Sequence, residues 1–398
     1  MHFDPYDPEL HRDPYPVYRQ LRDEHPAHYE ESMRFWTLSR YDDVAAALRN
    51  PDLFISSKGI AVGLPQNDVA VQSVPLLIMM DGPEHTQLRG LVSGAFSPRR
   101  MAALEPKIRE ITRGLLDEMC ESNGTDLVEH LTNPLPTIVI AELLGVPPDD
   151  RHRFKIWSDA VAQFDPAKPD GIHPGATEGP AVELAMYFAD ILEERRKAPQ
   201  DDLLSRLLAA QVDGRSLTTQ ELIGFGFLLL VAGHETTTNL LSNTLVLLDR
   251  HPDVRRQLIE SPAMIPQAVE EFLRYDSPVQ GLARTTTAEV ELHGRKIPAD
   301  ETVLLLFASA NRDERHFPDP DRLDIGRAPN DHLAFGFGKH FCLGSGLARL
   351  EARIAFEEIL ARIPDYRLTC DEIPRIHSGP IRGAERLPVD LGLTTATS

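Results

Sequence analysis

Residues 335–344 read Phe335-Gly336-Phe337-Gly338-Lys339-His340-Phe341-Cys342-Leu343-Gly344. One cysteine sits in a glycine-rich loop. Leu343, Leu347, Leu350 and Ile354 recur at helical spacing, which predicts a helix over Gly346–Ile363 immediately behind it. The start of a helix offers a positive dipole end and free N–H groups, both of which favour a thiolate. Gly336, Gly338 and Gly344 allow backbone conformations closed to other residues and let the loop come close to a flat ligand. Phe335, Phe337 and Phe341 are placed to keep water off. The loop is therefore suited to holding a sulfur against a metal. A buried, inert cysteine beside a turn is the other reading.

Composition bounds the rest. The chain has 398 residues, 42% hydrophobic and 26% charged, which is globular rather than disordered composition. A net charge of −20, from 61 acids against 41 Lys and Arg, argues against a general nucleic-acid binder. The three cysteines, Cys120, Cys342 and Cys370, form no CxxC pair. Neither a disulfide framework nor a cysteine zinc site is expected, and a reducing cytoplasm fits. The N-terminus is polar and proline-rich, unlike a signal peptide. The longest apolar run, Leu222–Gly233, is short of the roughly 20 residues a membrane span needs, so no membrane anchor is expected.

Helical patterns dominate, with small sheets between them: a mainly α chain, α+β in class. Helices are predicted over Pro16–Arg22, Tyr41–Arg49, Pro83–Phe96, Met101–Cys120, Pro136–Leu144, Asp150–Phe164, Ala181–Arg196 and Pro266–Tyr275. Phe35–Leu38 reads as a strand. Gly59–Pro75 and residues 165–180 read as loops, 199–223 as two short helical pieces, and Val290–Leu306 as a hairpin. A longer helix is predicted from Thr218 or Thr219, with Glu221 as its N-terminal acid, to just before His251-Pro252. At 1.5 Å per residue it is roughly 45 Å long. There is no βαβ alternation and no dinucleotide fingerprint.

That long helix is interrupted by Ala232-Gly233-His234-Glu235-Thr236-Thr237-Thr238. Glycine is disfavoured in helix interiors, and threonine hydroxyls bond back to carbonyls and loosen the turn. Small residues followed by an acid and a hydroxyl make a groove with proton donors, which oxygen activation requires. A satisfied polar kink in a core helix is the plainer reading. A zinc HExxH site fails, because position 238 is threonine. Further along, Glu271 and Arg274 are helix neighbours, and Arg322 follows in Phe317-Pro-Asp-Pro-Asp-Arg-Leu. His85 and Arg89 share a helical face, and Arg284 opens a predicted strand.

The cysteine loop resembles the haem-binding loop of the cytochrome P-450 monooxygenases, FxxGxxxCxG, through Phe335, Gly338, Cys342 and Gly344. The helix break resembles the family's A/G-G-x-D/E-T segment, and Glu271-x-x-Arg274 its ExxR helix. The motifs occur in the family's order across essentially the whole chain. The resemblance implies a single haem-centred domain over residues 1–398, with Cys342 as the axial ligand of haem b. It implies Ala232 and Gly233 beside the oxygen site and Glu235 and Thr236 relaying protons. His85, Arg89, Arg284 and His340 would meet the haem propionates, and Glu271, Arg274 and Arg322 would form a structural triad.

The implied reaction inserts one atom of dioxygen into an apolar small-molecule substrate. The chain is too short to include a fused flavin reductase, so electrons are expected from NAD(P)H through ferredoxin reductase and ferredoxin. Arg99, Arg100, Lys339, Arg349 and Arg353 are candidates for the ferredoxin's docking patch, ordinary solvated charges being the alternative. Residues 60–77, 157–185, 229–233, 279–283 and 378–382 are expected around the substrate. A peroxide-driven peroxygenase and a non-catalytic haem sensor or carrier are the competing readings. The Glu235–Thr236 pair weighs against both.

Overall fold

In a computed structural model of the chain, residues 1–63, 75–122, 125–150, 152–154, 156–157, 178–212 and 214–392 are described. Chain order sets the labels used below. Helix α1 is Tyr15–Glu24, followed by strands β1 (Ala27–Glu30) and β2 (Phe35–Leu38), helix α2 (Tyr41–Arg49) and strand β3 (Phe54–Ile55). Next come α3 (Gly82–Ser93), α4 (Glu105–Glu121), α5 (Pro134–Leu144), α6 (Glu178–Lys197) and the long α7 (Thr219–Arg250). Helix α8 (Ile265–Tyr275), strands β4 (Leu282–Thr286) and β5 (Thr302–Leu305), and helix α9 (Ser345–Arg362) complete the framework.

Helix α7 starts where the sequence signals it. The Thr218 hydroxyl accepts from the Glu221 N–H at 3.2 Å, and the Glu221 carboxylate accepts from the Thr218 N–H at 2.8 Å. This reciprocal cap satisfies N–H groups the helix cannot. The helix ends at Arg250, and Pro252 restarts the chain as the first residue of a short helix. Its 32 residues span about 48 Å. Leu222, Leu230, Leu240, Leu241, Leu245 and Leu248 pack into the main apolar core with α4, α5, α8 and α9. The long helix is thus a beam through the molecule, and its midpoint is held by packing on several sides.

The strands form one five-stranded sheet in the order β1-β2-β5-β4-β3. Only the β2–β5 pair is parallel, with Trp36 opposite Val303 and Leu38 opposite Leu305. Three sequence expectations change here. The 290–306 segment is not one hairpin: Val290–Leu292 and Arg295–Ile297 pair with each other, while Thr302–Leu305 joins the main sheet. The helix expected over 101–120 is broken at Leu104, because Pro106 has no N–H and begins a new helix at its first turn. The 199–223 stretch holds one helix, Leu203–Ala209, then a small hairpin and the start of α7.

Residues 158–177 and 64–74 lie outside the described residues, and with them most of the predicted 165–180 loop and of the 59–75 loop. Residues 178–180, expected in that loop, are the first turn of α6.

Candidate active site

The cysteine loop is closed by its own backbone. The Cys342 N–H donates to the Phe335 carbonyl at 2.9 Å, and the Phe341 N–H to the Gly338 carbonyl at 3.1 Å. Gly336 and Gly338 have φ of 66° and 72°, the left-handed region glycine favours. A Cβ on Gly338 would stand 2.7 Å from the Leu48 carbonyl oxygen, so the loop rests directly on α2. Gly344 differs from expectation: its φ is −83°, and no protein atom blocks a side chain there. Arg349 lies over the Phe335 ring, 4.5 Å from its centroid, and is held there by Glu270 at 2.7 and 2.8 Å.

Cys342 has accessible surface yet sits in poorly solvated surroundings. The two observations agree if its open side faces the interior of the molecule rather than bulk water. Burial pushes the thiol pKa up. The N–H groups of Gly344 and Ser345 and the guanidiniums of Arg89 and Arg349 oppose this without overcoming it. The protein surroundings alone therefore do not lower the thiol pKa as the sequence led one to expect; a bound cation at sulfur would reverse the sign.

On α7, Val231 and Ala232 are exposed midway along an otherwise buried helix, and Phe337 and Phe341 are exposed on the cysteine loop. Open apolar surface on core elements suits a flat apolar ligand. Polar groups beside the cysteine loop point the same way. His85 is 2% exposed, and among the described residues neither ring nitrogen has a hydrogen-bond partner. Its ring stands 4.3 Å from that of His340. Arg284 is buried and, among the described residues, donates only to the Ala283 carbonyl, at 2.7 Å. Burial pulls its pKa down to about 10, and burial together with His85 and Arg284 pulls His340 down to about 4.

The nearby acid is Asp81, 3.7 Å from His340, and it already accepts from the Ser56 and Ser57 N–H groups. A buried cluster of donors short of negative charge suits the carboxylates of a haem. Arg89, expected with this cluster, instead donates to the Phe341 carbonyl at 2.6 Å, on the cysteine loop. Asp81 and Ser56 carry no signal of this role in the sequence.

At the helix break, the Thr236 hydroxyl donates to the Ala232 carbonyl at 2.6 Å. That bond takes one acceptor from the helix ladder and opens the turn. Gly233 is small for a packing reason: a Cβ there would lie 2.7 Å from Ile140 of α5. Burial holds the Glu235 carboxyl up at about 7, so it carries its proton near neutrality. Another acid missed in the sequence, Glu351 on α9, is fully buried, with one carboxyl oxygen unpartnered and its pKa pushed up to about 8 by burial.

The ExxR pair is present and fully buried, Arg274 meeting Glu271 at 2.7 and 2.8 Å. The third cation is not Arg322, which is exposed and gives only its carbonyl to Arg274. Arg327 takes that place, its Nε 3.2 Å from Glu271. Some expected pocket walls do meet: Val279 bridges Ile381, the Gln280 N–H donates to the Pro380 carbonyl at 2.8 Å, and the Ala283 N–H to the Ile60 carbonyl at 2.7 Å. The basic patch is thinner than expected. Arg349 is tied to Glu270 and Arg353 to Glu105 and Glu357, while Lys339 stands 3.8 Å from Asp52. Arg99 and Arg100 are exposed on the short helix Pro98–Ala103.

Comparison with known proteins bears on the same architecture. The family model described as Cytochrome P450 matches residues 9–364. A vitamin D(3) 25-hydroxylase of Pseudonocardia autotrophica is 42% identical over 394 residues, 97% of this chain and 95% of that protein. The structure of CYP109Q5 from Chondromyces apiculatus superimposes with a TM-score of 0.90 at 41% identity, covering 98% of this chain and 97% of that one. CYP109E1 from Bacillus megaterium, solved in complex with testosterone, gives 0.87 at 39% identity, covering 96% of this chain and 100% of that one. Among the described residues, no helix is long and apolar enough to cross a membrane.

Proposed function

The chain belongs to the cytochrome P450 family of haem monooxygenases, and from that premise we propose that it hydroxylates a bulky alicyclic substrate of low polarity. Cys342 is the proposed sulfur ligand of haem b, and residues 1–398 act as one unit in the cytoplasm. The observation that carries this reading is the pairing of two features. A single cysteine lies in a loop fixed by its own backbone, and a buried carboxyl lies beside a back-bonded threonine on the long helix.

Haem, when bound, supplies the reductive activation of dioxygen. The chain's own residues do the rest. Phe335, Phe337 and Phe341 cover the sulfur side and exclude water. His85, Arg284 and His340 bind the propionates and so fix the ring's orientation, and Arg89 braces the cysteine loop through the Phe341 carbonyl. Ala232 and Gly233 leave room on α7 for dioxygen. Glu235 holds a proton at its carboxyl near neutral pH, and the Thr236 hydroxyl hands it on within the groove. The net reaction takes up a substrate C–H bond, dioxygen, an electron pair and protons, and yields an alcohol and water.

Electrons are assigned to NAD(P)H, by way of a ferredoxin reductase and a ferredoxin. Exposed Arg99, Arg100 and Lys339 are the cations offered to an acidic partner. Support for the ring system comes from relatives, one named for vitamin D(3) and one solved with testosterone. The reduced, carbon-monoxide-bound protein should show the thiolate-ligand absorption, and Cys342→Ser should lose it. Testosterone or vitamin D(3) should shift the haem spin state, and a hydroxylated product should form with ferredoxin, reductase and NAD(P)H. A wild type without the thiolate spectrum would overturn the ligand assignment. No spin shift with either compound would overturn the substrate class.

A further inference from the structure

The first residues of the chain are tied into the fold. Phe3 is 1% exposed, and its N–H donates to the Glu30 carboxylate of β1 at 2.7 Å. Asp7 caps the short helix Pro8–Arg12 by accepting from the Glu9 N–H at 2.9 Å. Tyr6 is therefore held from both sides, and chain termini are well ordered where such ties exist. With Phe3, Tyr18, Phe35, Val62 and Ala283 it belongs to a small apolar core separate from the main one.

Tyr6 reaches two distant segments at once. Its hydroxyl donates to the Val62 carbonyl at 2.9 Å, across 56 residues of sequence. Its ring lies against Gly379, where a Cβ would stand 2.9 Å from it, and its own carbonyl accepts from the His377 ring at 2.8 Å. On the other side, a Cβ on Gly63 would come within 3.6 Å of the same ring. Residues 60–63 and 378–382 each bond to the 279–283 segment, Ile60 through Ala283 and Pro380 through Gln280. Among the described residues, no backbone hydrogen bond joins those two segments to each other. Tyr6 spans the space between them.

A buried tyrosine needs an acceptor for its hydroxyl, and that need alone would explain one bond. It does not explain why hydroxyl and ring go to two segments that are both expected around the substrate. Each segment is loop, and loop backbone stays in place through the few contacts it makes. A displacement of about 1 Å at a positioning group can cost a hundredfold in rate.

Resting on the reading of both segments as pocket walls, we propose that Tyr6 is a positioning residue for the substrate. It clamps 62–63 and 377–379 at a fixed separation. In doing so it sets how tightly, and in which orientation, a bulky apolar substrate is held. No chemical step is assigned to Tyr6.

Two probes read the pocket in the holoenzyme. Testosterone reports affinity through the spin-state shift and orientation through the distribution of hydroxylated products. Clotrimazole, a bulky azole that ligates haem iron, reports the walls through its dissociation rate, whatever the substrate is. Tyr6→Phe removes only the hydroxyl and should raise the testosterone Kd and the clotrimazole off-rate about threefold, and Tyr6→Ala about tenfold. Gly379→Ala should displace the ring and act like Tyr6→Ala, while adding nothing further to Tyr6→Ala itself. The control is Tyr366→Phe, which loses the same kind of bond, to the Leu245 carbonyl at 2.7 Å, in the main core. It should lower the urea midpoint without moving either probe. Wild-type values for both probes in the folded Tyr6 variants or in Gly379→Ala, or an equal change in Tyr366→Phe, would overturn the clamp. If testosterone gave no shift in the wild-type protein, the substrate class would fail, and the clotrimazole arm would still decide the clamp.

Discussion

Arg327 reaches Glu271 across 56 residues of sequence, its Nε 3.2 Å from the carboxylate. The same carboxylate is gripped by Arg274 and accepts from the Asp324 N–H at 2.9 Å. One buried acid therefore ties helix α8 to the irregular segment that leads to the cysteine loop. Truncating Glu271 or Arg274 leaves an unmatched buried charge, which costs about 3–5 kcal/mol. Arg327→Ala should cost about 2 kcal/mol through its lost charged hydrogen bonds. Arg322→Ala, at an exposed side chain, should stay within about 0.5 kcal/mol. Urea unfolding ranks the variants, and equal losses for Arg322→Ala and Arg327→Ala would contradict the assignment.

Arg284 should show opposite signs in the two states of the protein. In the haem-free chain its folded pKa lies below its unfolded one, so the charge opposes folding at every pH below about 10. The drop to about 10 corresponds to a cost of roughly a few kcal/mol. Arg284→Met should therefore stabilise the apoprotein while weakening haem retention. Thermal unfolding of apoprotein and haem transfer to apomyoglobin measure the two effects separately.

The pH dependence of turnover should carry Glu235. Its carboxyl is protonated below about 7 and loses its proton above. With electron supply saturating, the rate should fall as pH rises through about 7. Glu235→Gln should remove that limb and lower the rate about a hundredfold. For stability the sign is the same. The unfolded carboxyl, at the ordinary value of 4.5, ionises first, so this group's contribution declines as pH climbs from 4.5 to about 7. Stopped-flow rates and urea midpoints across that window check both halves.

Two glycines of the cysteine loop should respond differently to alanine. Gly338 has a positive φ and faces the Leu48 carbonyl, so Gly338→Ala should cost more than about 1 kcal/mol in apoprotein and holoprotein alike. Gly344 has neither constraint, so Gly344→Ala should leave apoprotein stability unchanged and lower haem affinity. Unfolding midpoints with and without haem distinguish the two.

The sequence carried those features whose cause is local. The capping pair Thr218–Glu221 and the stop at His251-Pro252 bound α7 almost to the residue, because caps and prolines act over one turn. The break at Leu104 was equally local; Pro106 announces it, and the apolar spacing across it obscured it. What stayed hidden depends on distant partners. Nothing near Thr302–Leu305 says that it pairs in parallel with Phe35–Leu38, since the pairing residues lie far apart in sequence. Arg327 is one arginine among many, and only the folded path of 317–327 brings it, rather than Arg322, to Glu271. Asp81 and Ser56 likewise join the His340 cluster through tertiary placement alone.

The backbone bonds joining Ile60, Val279–Ala283 and Pro380–Arg382 run among those segments themselves, whereas the cysteine loop leans on α2 through Gly338 and Leu48. The parts that would face a substrate and the part that would hold the metal thus rest mainly on different supports, with the Asn311 amide linking Ser277 on one side to Leu333 on the other. Mutations in the former can drift without loosening the latter, so a lineage built on this frame can change diet while keeping its chemistry.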